Sequence, residues 1–468
     1  MSDYPDAEQV LAQLPAPWPE EALIGIRRAL RSSPRKVVVL DDDPTGTQTV
    51  EDITVVTQWD PQTLREAFEE TNLGFFILTN SRALTETGTI ELHREILANL
   101  EEAANGQPYT IVSRSDSTLR GHFLAESKTI AAFRGPFDLT VIAPFFQAGQ
   151  RLTLDDTHYL IDQGKLIPCH ETPFAEDKVF GYKASHLPTW VEEKTHGETP
   201  ATEVISIPLD LIRSKGPDGV FEILTQAPKG STCIVNACAQ KDMEVFAAAA
   251  LRFEDSGRNV LYRTAAAFVA ARFGIRPPPP LLPEFISNSK ERGGLVVVGS
   301  YVPKSSEQLA KLLELGELKA IELNVNELLK SADPDRYLQS LGDSLESALA
   351  AGDDVVLYTS RGLVFSDAKE QNLDIGGRVA VALVSLVKSL KKSPGFVIAK
   401  GGITSSTIAT DALGIRKAQV LGQLVPGVPV WRAADDSRFP EIDLVIFPGN
   451  VGGPDSLCEA YRKLKRVR

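Results

Sequence analysis

Two groups of residues in the 468-residue chain have types and spacings suited to chemistry. The first follows Val37-Val38-Val39-Leu40, where the chain reads Asp41-Asp42-Asp43-Pro44-Thr45-Gly46-Thr47. Three adjacent carboxylates repel one another, so they require solvent, cations or hydrogen-bond donors nearby. An Asp-Pro-x-Gly turn accounts for part of the run, and strand alternation lets at most one or two of the three face a common ligand. Thr79-Asn80-Ser81-Arg82 follows Phe75–Leu78, and Ser113-Arg114-Ser115-Asp116-Ser117-Thr118-Leu119-Arg120-Gly121-His122 follows Thr110-Ile111-Val112. Asp116, Ser117 or Thr118 is also suited to cap a helix N-terminus. Guanidinium groups grip carboxylates, and Asp, Ser and Thr orient hydroxyls, so Arg82, Arg114, Asp116, Ser117 and Thr118 suit a small polyhydroxy acid. Phe145 and Phe146, after Leu139–Ala143, read as walls of that site, with Arg151 a further contact.

The second group lies after residue 290. Gly299-Ser300-Tyr301-Val302-Pro303-Lys304-Ser305-Ser306 nearly spells a Walker A loop, but Pro303 stands at its second glycine and has no N–H for a phosphate. Ser360-Arg361-Gly362 follows another strand. Gly401-Gly402-Ile403-Thr404-Ser405-Ser406-Thr407 follows Phe396–Lys400, an order that brings backbone N–H groups and a helix start against an anion, with Thr404 a candidate cap. Gly422–Gly427 is expected to close over a nucleotide. Pro448-Gly449-Asn450-Val451-Gly452-Gly453 follows Leu444–Phe447. Three glycine loops, each after a strand, favour a di- or triphosphate site. Other chemistries fit poorly. No Gly-x-Gly-x-x-Gly follows these strands, which counts against a dinucleotide-dependent hydroxy-acid dehydrogenase, and no Gly-x-Ser-x-Gly elbow marks a hydrolase. Cys169-His170 lacks partners at zinc spacing, and no metal ligand set is identified.

The elements that must hold these residues are strands alternating with helical patterns. Expected strands are Val37–Leu40, Phe75–Leu78, Tyr109–Val112, Leu139–Ala143, Val204–Ile207, Cys233–Asn236, Val260–Tyr262, Leu295–Gly299, Ala320–Leu323, Val355–Thr359, Phe396–Lys400 and Leu444–Phe447. Several are apolar throughout, as in parallel sheets covered on both faces, so the fold expected is α/β with two domains of mostly parallel open sheets flanked by helices. Pro277–Pro280 and Pro283 break both periodicities and form a stiff spacer. The expected division is an extension over 1–34, a substrate domain over 35–275, a linker over 276–284 and a nucleotide domain over 285–468. Ligands of such sheets bind beyond the strands' carboxyl ends, here in a cleft between the domains.

Formal charge is 49 − 62 = −13, which argues against general binding to nucleic acid or anionic lipid. The basic run Arg462, Lys463, Lys465, Arg466, Arg468 suits a helix end facing its own dipole. Four cysteines, with no Cys-x-x-Cys, do not describe a disulfide framework. An acidic start without an apolar stretch, and an apolar segment near Ala380–Leu390 broken by Ser385 and Lys388, predict a cytoplasmic protein.

The ordered motifs resemble those of the four-carbon acid sugar kinases, which phosphorylate threonate, erythronate or 3-oxo-tetronate with ATP. The resemblance rests on Asp42-Asp43-Pro44-Thr45-Gly46, Ser81-Arg82, Asp116-Ser117-Thr118-Leu119-Arg120-Gly121, Gly299-Ser300 with Gln308, Gly401-Gly402-Ile403-Thr404 and Pro426-Gly427-Val428-Pro429. It runs in order from about residue 36 to 453. It implies an acid-sugar domain followed by a nucleotide domain, with ATP and Mg²⁺ as cofactors, a small sugar acid as partner, and a homodimer as the assembly to test. By position, Asp42, Asp43, Arg82 and Asp116-Ser117-Thr118 become acid-sugar contacts, with Arg82 fixing the carboxylate. Asp43 is the expected general base and Asp116 its rival. Ser300, Gly401, Gly402, Thr404, Ser405, Gly449 and Gly452 become nucleotide contacts. Three departures mark a divergent branch: Arg114 where lysine is common, His122 where asparagine is usual, and Phe447-Pro448 where many members have Lys-Ser. A non-catalytic sugar-acid binder on the same scaffold is the alternative that this last loop suggests.

Overall fold

The computed structural model describes residues 4–32, 35–282, 285–286, 292–300, 302–361 and 369–465. Tyr301, Gly362, Pro283, Arg466 and Arg468, named above, lie outside them. The chain separates into two compact units, Met1–Pro278 and Pro279–Arg468.

The first unit is built on eight strands: β1 Lys36–Asp41, β2 Ile53–Val56, β3 Gly74–Leu78, β4 Tyr109–Arg114, β5 Leu139–Ala143, β9 Ile205–Ile207, β10 Ser231–Val235 and β11 Val260–Thr264. They pair in the order β2-β3-β1-β4-β11-β5-β10-β9, every pairing parallel. Parallel strands need crossovers, and helices such as Glu86–Ala104, Phe123–Arg134, Leu209–Gln226 and Gln240–Asp255 supply them. Val37, Val38 and Val39 are all fully buried, which an alternating strand would not allow; both sheet faces are covered. A small antiparallel meander, β6 Arg151–Leu154, β7 Thr157–Asp162 and β8 Lys165–Pro168, interrupts the alternation. Residues 4–32 are packed onto this unit. Pro5 and Ala7 hydrogen-bond to Leu166 and Gly164, Arg213 donates to the Pro15 carbonyl, and Leu23, Ile26 and Leu30 of the helix Ala22–Ser32 are buried.

At the amino ends of the strands, Glu254 is buried and accepts from Tyr262 Oη at 2.6 Å, Thr110 Oγ1 at 2.9 Å and Arg272 at 2.9 and 3.2 Å. One carboxylate thus joins β4, β11 and two helices. The arginine and both hydroxyls hold its carboxyl below the usual range against the opposing effect of burial.

The second unit has β12 Leu295–Val298, β13 Lys319–Leu323, β14 Val355–Thr359, β15 Val397–Lys400, β16 Lys417–Val425, β17 Val428–Ala433 and β18 Asp443–Phe447. Their order is β13-β14-β12-β15-β18-β17-β16, parallel up to β18 and antiparallel from β18 to β16. This corrects the reading of Gly422–Gly427 as a loop over nucleotide. Gly422 lies inside β16 at a register shift with φ +133°, and Pro426-Gly427 is the turn into β17. Leu281 of the proline segment donates its N–H to the Gln423 carbonyl at 2.6 Å and packs where a Gly422 side chain would stand. In the helix Pro303–Glu314, Leu309 and Leu312 form the buried face. No described helix is long and apolar enough to cross a membrane.

Candidate functional site

In the first unit, strand register does the assembling. Asp41 of β1 lies abreast of Leu78 of β3 and Arg114 of β4, and Arg114 abreast of Thr264 of β11. Whatever follows these four residues therefore emerges at one sheet edge. After Asp41 the chain leaves strand geometry: Asp43 caps a 3₁₀ turn over Pro44–Thr47, accepting from Thr45 N at 2.9 Å and Thr45 Oγ1 at 2.5 Å. All three carboxylates consequently converge, contrary to the expectation from alternation. Arg114 Nη1 reaches Asp41 at 3.0 Å and Asp42 at 3.3 Å; Arg82 reaches Asp42 at 2.8 Å, Asp43 at 3.6 Å and Asp116 at 3.7 Å. The Arg82 guanidinium, expected to fix a substrate carboxylate, is thus already shared among three aspartates.

These charges are unequal. Burial pushes the Asp41 carboxyl up to about 7 despite Arg114, and raises Asp42. Asp43 is held below the usual range because Arg82, Arg114 and the Thr45 bonds outweigh burial. Asp116 is held lower still by Arg120, Arg82 and the Thr118 hydroxyl. Asp43 is also the most exposed of the tandem, 18% against 2% for the Asp41 and Asp42 side chains.

Asp116, Ser117 and Thr118 do not cap a helix. They form a turn before the helix Phe123–Arg134, whose capping position is His122, without a side-chain bond. Asp116 instead accepts from the Thr118 hydroxyl and from Arg120 Nε at 2.7 Å. His158, its pKa brought down to about 4 by burial, is neutral at pH 7 and bonds Ser117 O through Nε2 at 2.8 Å; Tyr182 Oη donates to Thr118 O at 2.8 Å. Beneath the turn, a buried Glu126–Arg263 pair is bonded by Ser81 Oγ and Ser113 Oγ. His122 meets the Leu84 carbonyl at 3.0 Å and the edge of Phe180. Phe145 and Phe146, expected as walls, are buried, Phe146 against Ala265 and Ala266. Sequence reasoning missed His158, Tyr182, Glu126 and Arg263. Arg263 alone had a signal, its place at the end of a core strand.

In the second unit three turns meet. A Cβ on Gly299 would stand 2.4 Å from Thr404 Oγ1, one on Gly401 3.0 Å from Ser300 Cβ, and one on Gly449 3.6 Å from Ser300 Oγ. Gly401 has φ +111° and is the capping residue of the helix Gly402–Thr407, so Thr404 makes no cap. Gly452, at φ +82°, lies against Ser456. Ser305 Oγ donates to Gly449 O at 3.1 Å, and Gln308 Nε2 donates to Val451 O and Gly453 O at 3.1 and 2.7 Å. Arg361 donates to the Ser300 and Val298 carbonyls at 2.5 and 3.1 Å. Ser405 is buried and donates to Ala399 O at 2.7 Å, which makes it a support of the turn.

Lys400 is the residue that sequence reasoning passed over. It is fully buried, its ammonium donates to the Pro448 carbonyl, and it lies 4.4 Å from the centre of the Phe447 ring. Phe447 and Pro448 are the positions at which the resemblance calls for Lys-Ser, and Lys400 is packed against both. Burial, with Lys304 adding repulsion, brings its pKa down from 10.5 to about 7.

Residues 37–272 match the family described as a sugar-binding N-terminal domain, and residues 295–457 match the nucleotide-binding C-terminal domain. No protein of curated function matches the chain. Among solved structures, a Haemophilus influenzae protein is 19% identical with TM-score 0.62, covering 91% of this chain and 100% of its own. A Salmonella typhimurium protein labelled a tRNA synthase is 18% identical with TM-score 0.66, covering 92% of this chain and 99% of its own. These two likenesses show the fold.

Proposed function

Because the chain belongs to the four-carbon acid sugar kinase family, with a sugar-binding and a nucleotide-binding domain, we propose that it transfers the γ-phosphoryl of ATP to a hydroxyl of a small sugar acid such as threonate, erythronate or 3-oxo-tetronate. The observation that carries this reading is the pair of half-sites: one sheet edge crowded with arginine and aspartate, the other with glycine turns around a buried lysine.

The glycine turns at 299–300, 401–402 and 449–452 let a polyphosphate approach backbone N–H groups, with Ser300 and Thr404 beside them and Lys400 behind. The acid's hydroxyls lie against Asp43, Asp116, Ser117 and Thr118. Both Asp43 and Asp116 are ionised at neutral pH, as an acceptor of the hydroxyl proton must be. Asp43 is the base in this reading, because it is the exposed member of the tandem. The substrate oxygen bonds to the γ-phosphorus, the bond from that phosphorus to the bridging oxygen breaks, ADP leaves, and the proton passes to the Asp43 carboxylate. Arg82 and Arg114 offset the mutual repulsion of the tandem, which keeps Asp43 ionised and able to accept a proton. Among the described residues no group of three or more His, Cys, Asp and Glu is placed to hold a cation, and Arg82 and Arg114 already neutralise the tandem. Mg²⁺ therefore fits as a companion of the nucleotide, where it would neutralise phosphate charge. A homodimer and a cytoplasmic location belong to the same reading.

A coupled ADP-release assay over three- to six-carbon sugar acids tests it. Acid-dependent ADP release is expected, and Asp43→Asn lowers turnover by about two to four orders of magnitude. ATP binding without release for any acid would favour the non-catalytic binder, and full activity in Asp43→Asn would remove that residue from the role.

A further inference from the structure

Among the described residues, Arg151 of the first unit is a buried cation with no ion pair. Arg151, at the start of β6, is 7% exposed, and among the described residues no hydrogen bond or ion pair reaches its guanidinium; its Nε is buried without a partner. The carboxylates nearby are engaged by other arginines: Asp41 and Asp42 by Arg114, Asp42 and Asp43 by Arg82, Asp116 by Arg120 and Arg82, and Asp177 by Arg120 at 3.7 Å. Asp116 attracts Arg151 from beyond ion-pair distance, Arg120 repels it, and burial outweighs that attraction; the other groups around it are neutral. Burial pushes the Cys169 thiol up to about 12 and raises the Tyr182 phenol, and the Phe174 ring centre lies 5.7 Å from the guanidinium carbon. Arg120 faces the same ring at 5.1 Å, so two guanidinium groups share one aromatic plate. Room for this is made by Gly149, where a Cβ would stand 2.2 Å from Arg151 Nη1.

An unpaired buried charge is strongly unfavourable, so a fold that keeps one is poised for a ligand that supplies the opposite sign. The geometry points to Arg151, with Arg120 beside it, as the subsite that takes the carboxylate of the substrate, in place of Arg82. This rests on the sugar-acid reading above for the identity of the anion. A planar fork suits a carboxylate far better than a hydroxyl or an aldehyde, so Arg151 sets the preference for an acid over a neutral polyol. The next hydroxyls along the chain then reach Asp116 and Thr118, and Arg82 serves to hold the aspartates.

The test uses the full chain as wild type, Arg151→Gln and Arg151→Lys. Binding of three- to six-carbon sugar acids, threonate and erythronate among them, is measured by calorimetry, with erythritol as the neutral counterpart. Arg151→Gln is expected to weaken acid binding about 30-fold or more, with partial recovery in Arg151→Lys and no change for erythritol or Mg·ATP. The melting temperature of the ligand-free protein is expected to stay level or rise in Arg151→Gln, because an uncompensated charge is removed; an arginine that served only packing would lower it. The inference is overturned if wild type binds none of these acids, if Arg151→Gln binds them as tightly, or if acid and polyol weaken together. Acid binding that depends on Arg151 without ADP release would sink the kinase reading and leave the subsite standing. Equal ADP release at equal acid affinity in both proteins would do the reverse.

Discussion

Replacing Lys400 by methionine separates the energetics of the nucleotide half-site from its chemistry. The lysine is buried and its pKa falls from 10.5 to about 7, so between those values the unfolded chain carries more protons than the folded one. Stability therefore rises with pH across that window, and the cost is fully present only below it. At 1.36 kcal/mol per decade the cost is about 4.5 kcal/mol at pH 6.5 and about 1.5 kcal/mol at pH 9.5. Methionine has a similar volume and removes this cost. It leaves the Pro448 carbonyl without its donor, about 1–2 kcal/mol at any pH, while the contact with the Phe447 ring belongs to the charged form and is already contained in the shifted pKa. Lys400→Met should accordingly be more stable than wild type by roughly 3 kcal/mol at pH 6.5 and of about equal stability at pH 9.5. Parallel urea titrations of the two proteins at pH 6.5, 8.0 and 9.5 read the difference directly. A difference that stays flat within about 1 kcal/mol over that range would refute the reasoning. If the triphosphate lies beside this lysine, Mg·ATP binding near pH 8 must also draw in a proton. Calorimetry in two buffers of different ionisation enthalpy should show that uptake in wild type and not in the variant.

Further predictions concern the same two edges. Asp41, with its pKa raised from 3.8 to about 7, is protonated longer in the folded protein, so its contribution is lost as pH rises through that interval. Asp41→Asn should gain about 2–3 kcal/mol relative to wild type between pH 5 and pH 8, read by denaturant titration at both pH values. Gly401→Ala places a side chain at φ +111° and 3.0 Å from Ser300 Cβ. It should cost about 1–2 kcal/mol and reduce the rise in melting temperature given by Mg·ATP, with no effect on sugar-acid affinity.

The parallel sheets were legible because most of their strands are apolar throughout and separated by helical spacing, and the candidate turns could be located because each follows such a strand. The meander β6–β8 escaped this logic: its strands are short and mostly not fully buried, with Thr157, Tyr159, Leu160 and Ile161 all half-buried. The hairpin β16–β17 escaped because Gly422 and Pro426-Gly427 look like a loop until the register shift and the turn are seen. Residue types singled out Asp43, Arg82 and Asp116 as candidates, and the fold brings them together, but pairing is a three-dimensional fact. Nothing in the order of residues told that Arg82 is shared by three aspartates while Arg151 has none. Lys400 was passed over for a related reason, since a lysine ending a hydrophobic strand reads as a solvent-facing stop, whereas here it turns inward beneath Pro448.

The carboxylate at Glu254 gives the first sheet a division of labour. At the amino edge its charge is matched within the fold by Arg272 and two hydroxyls, which clamp β4, β11 and two helices together. The carboxyl edge carries the exchangeable charges. Strand spacing is thus anchored at one end, so substitutions among the charged turns at the other should alter binding without loosening the sheet beneath them.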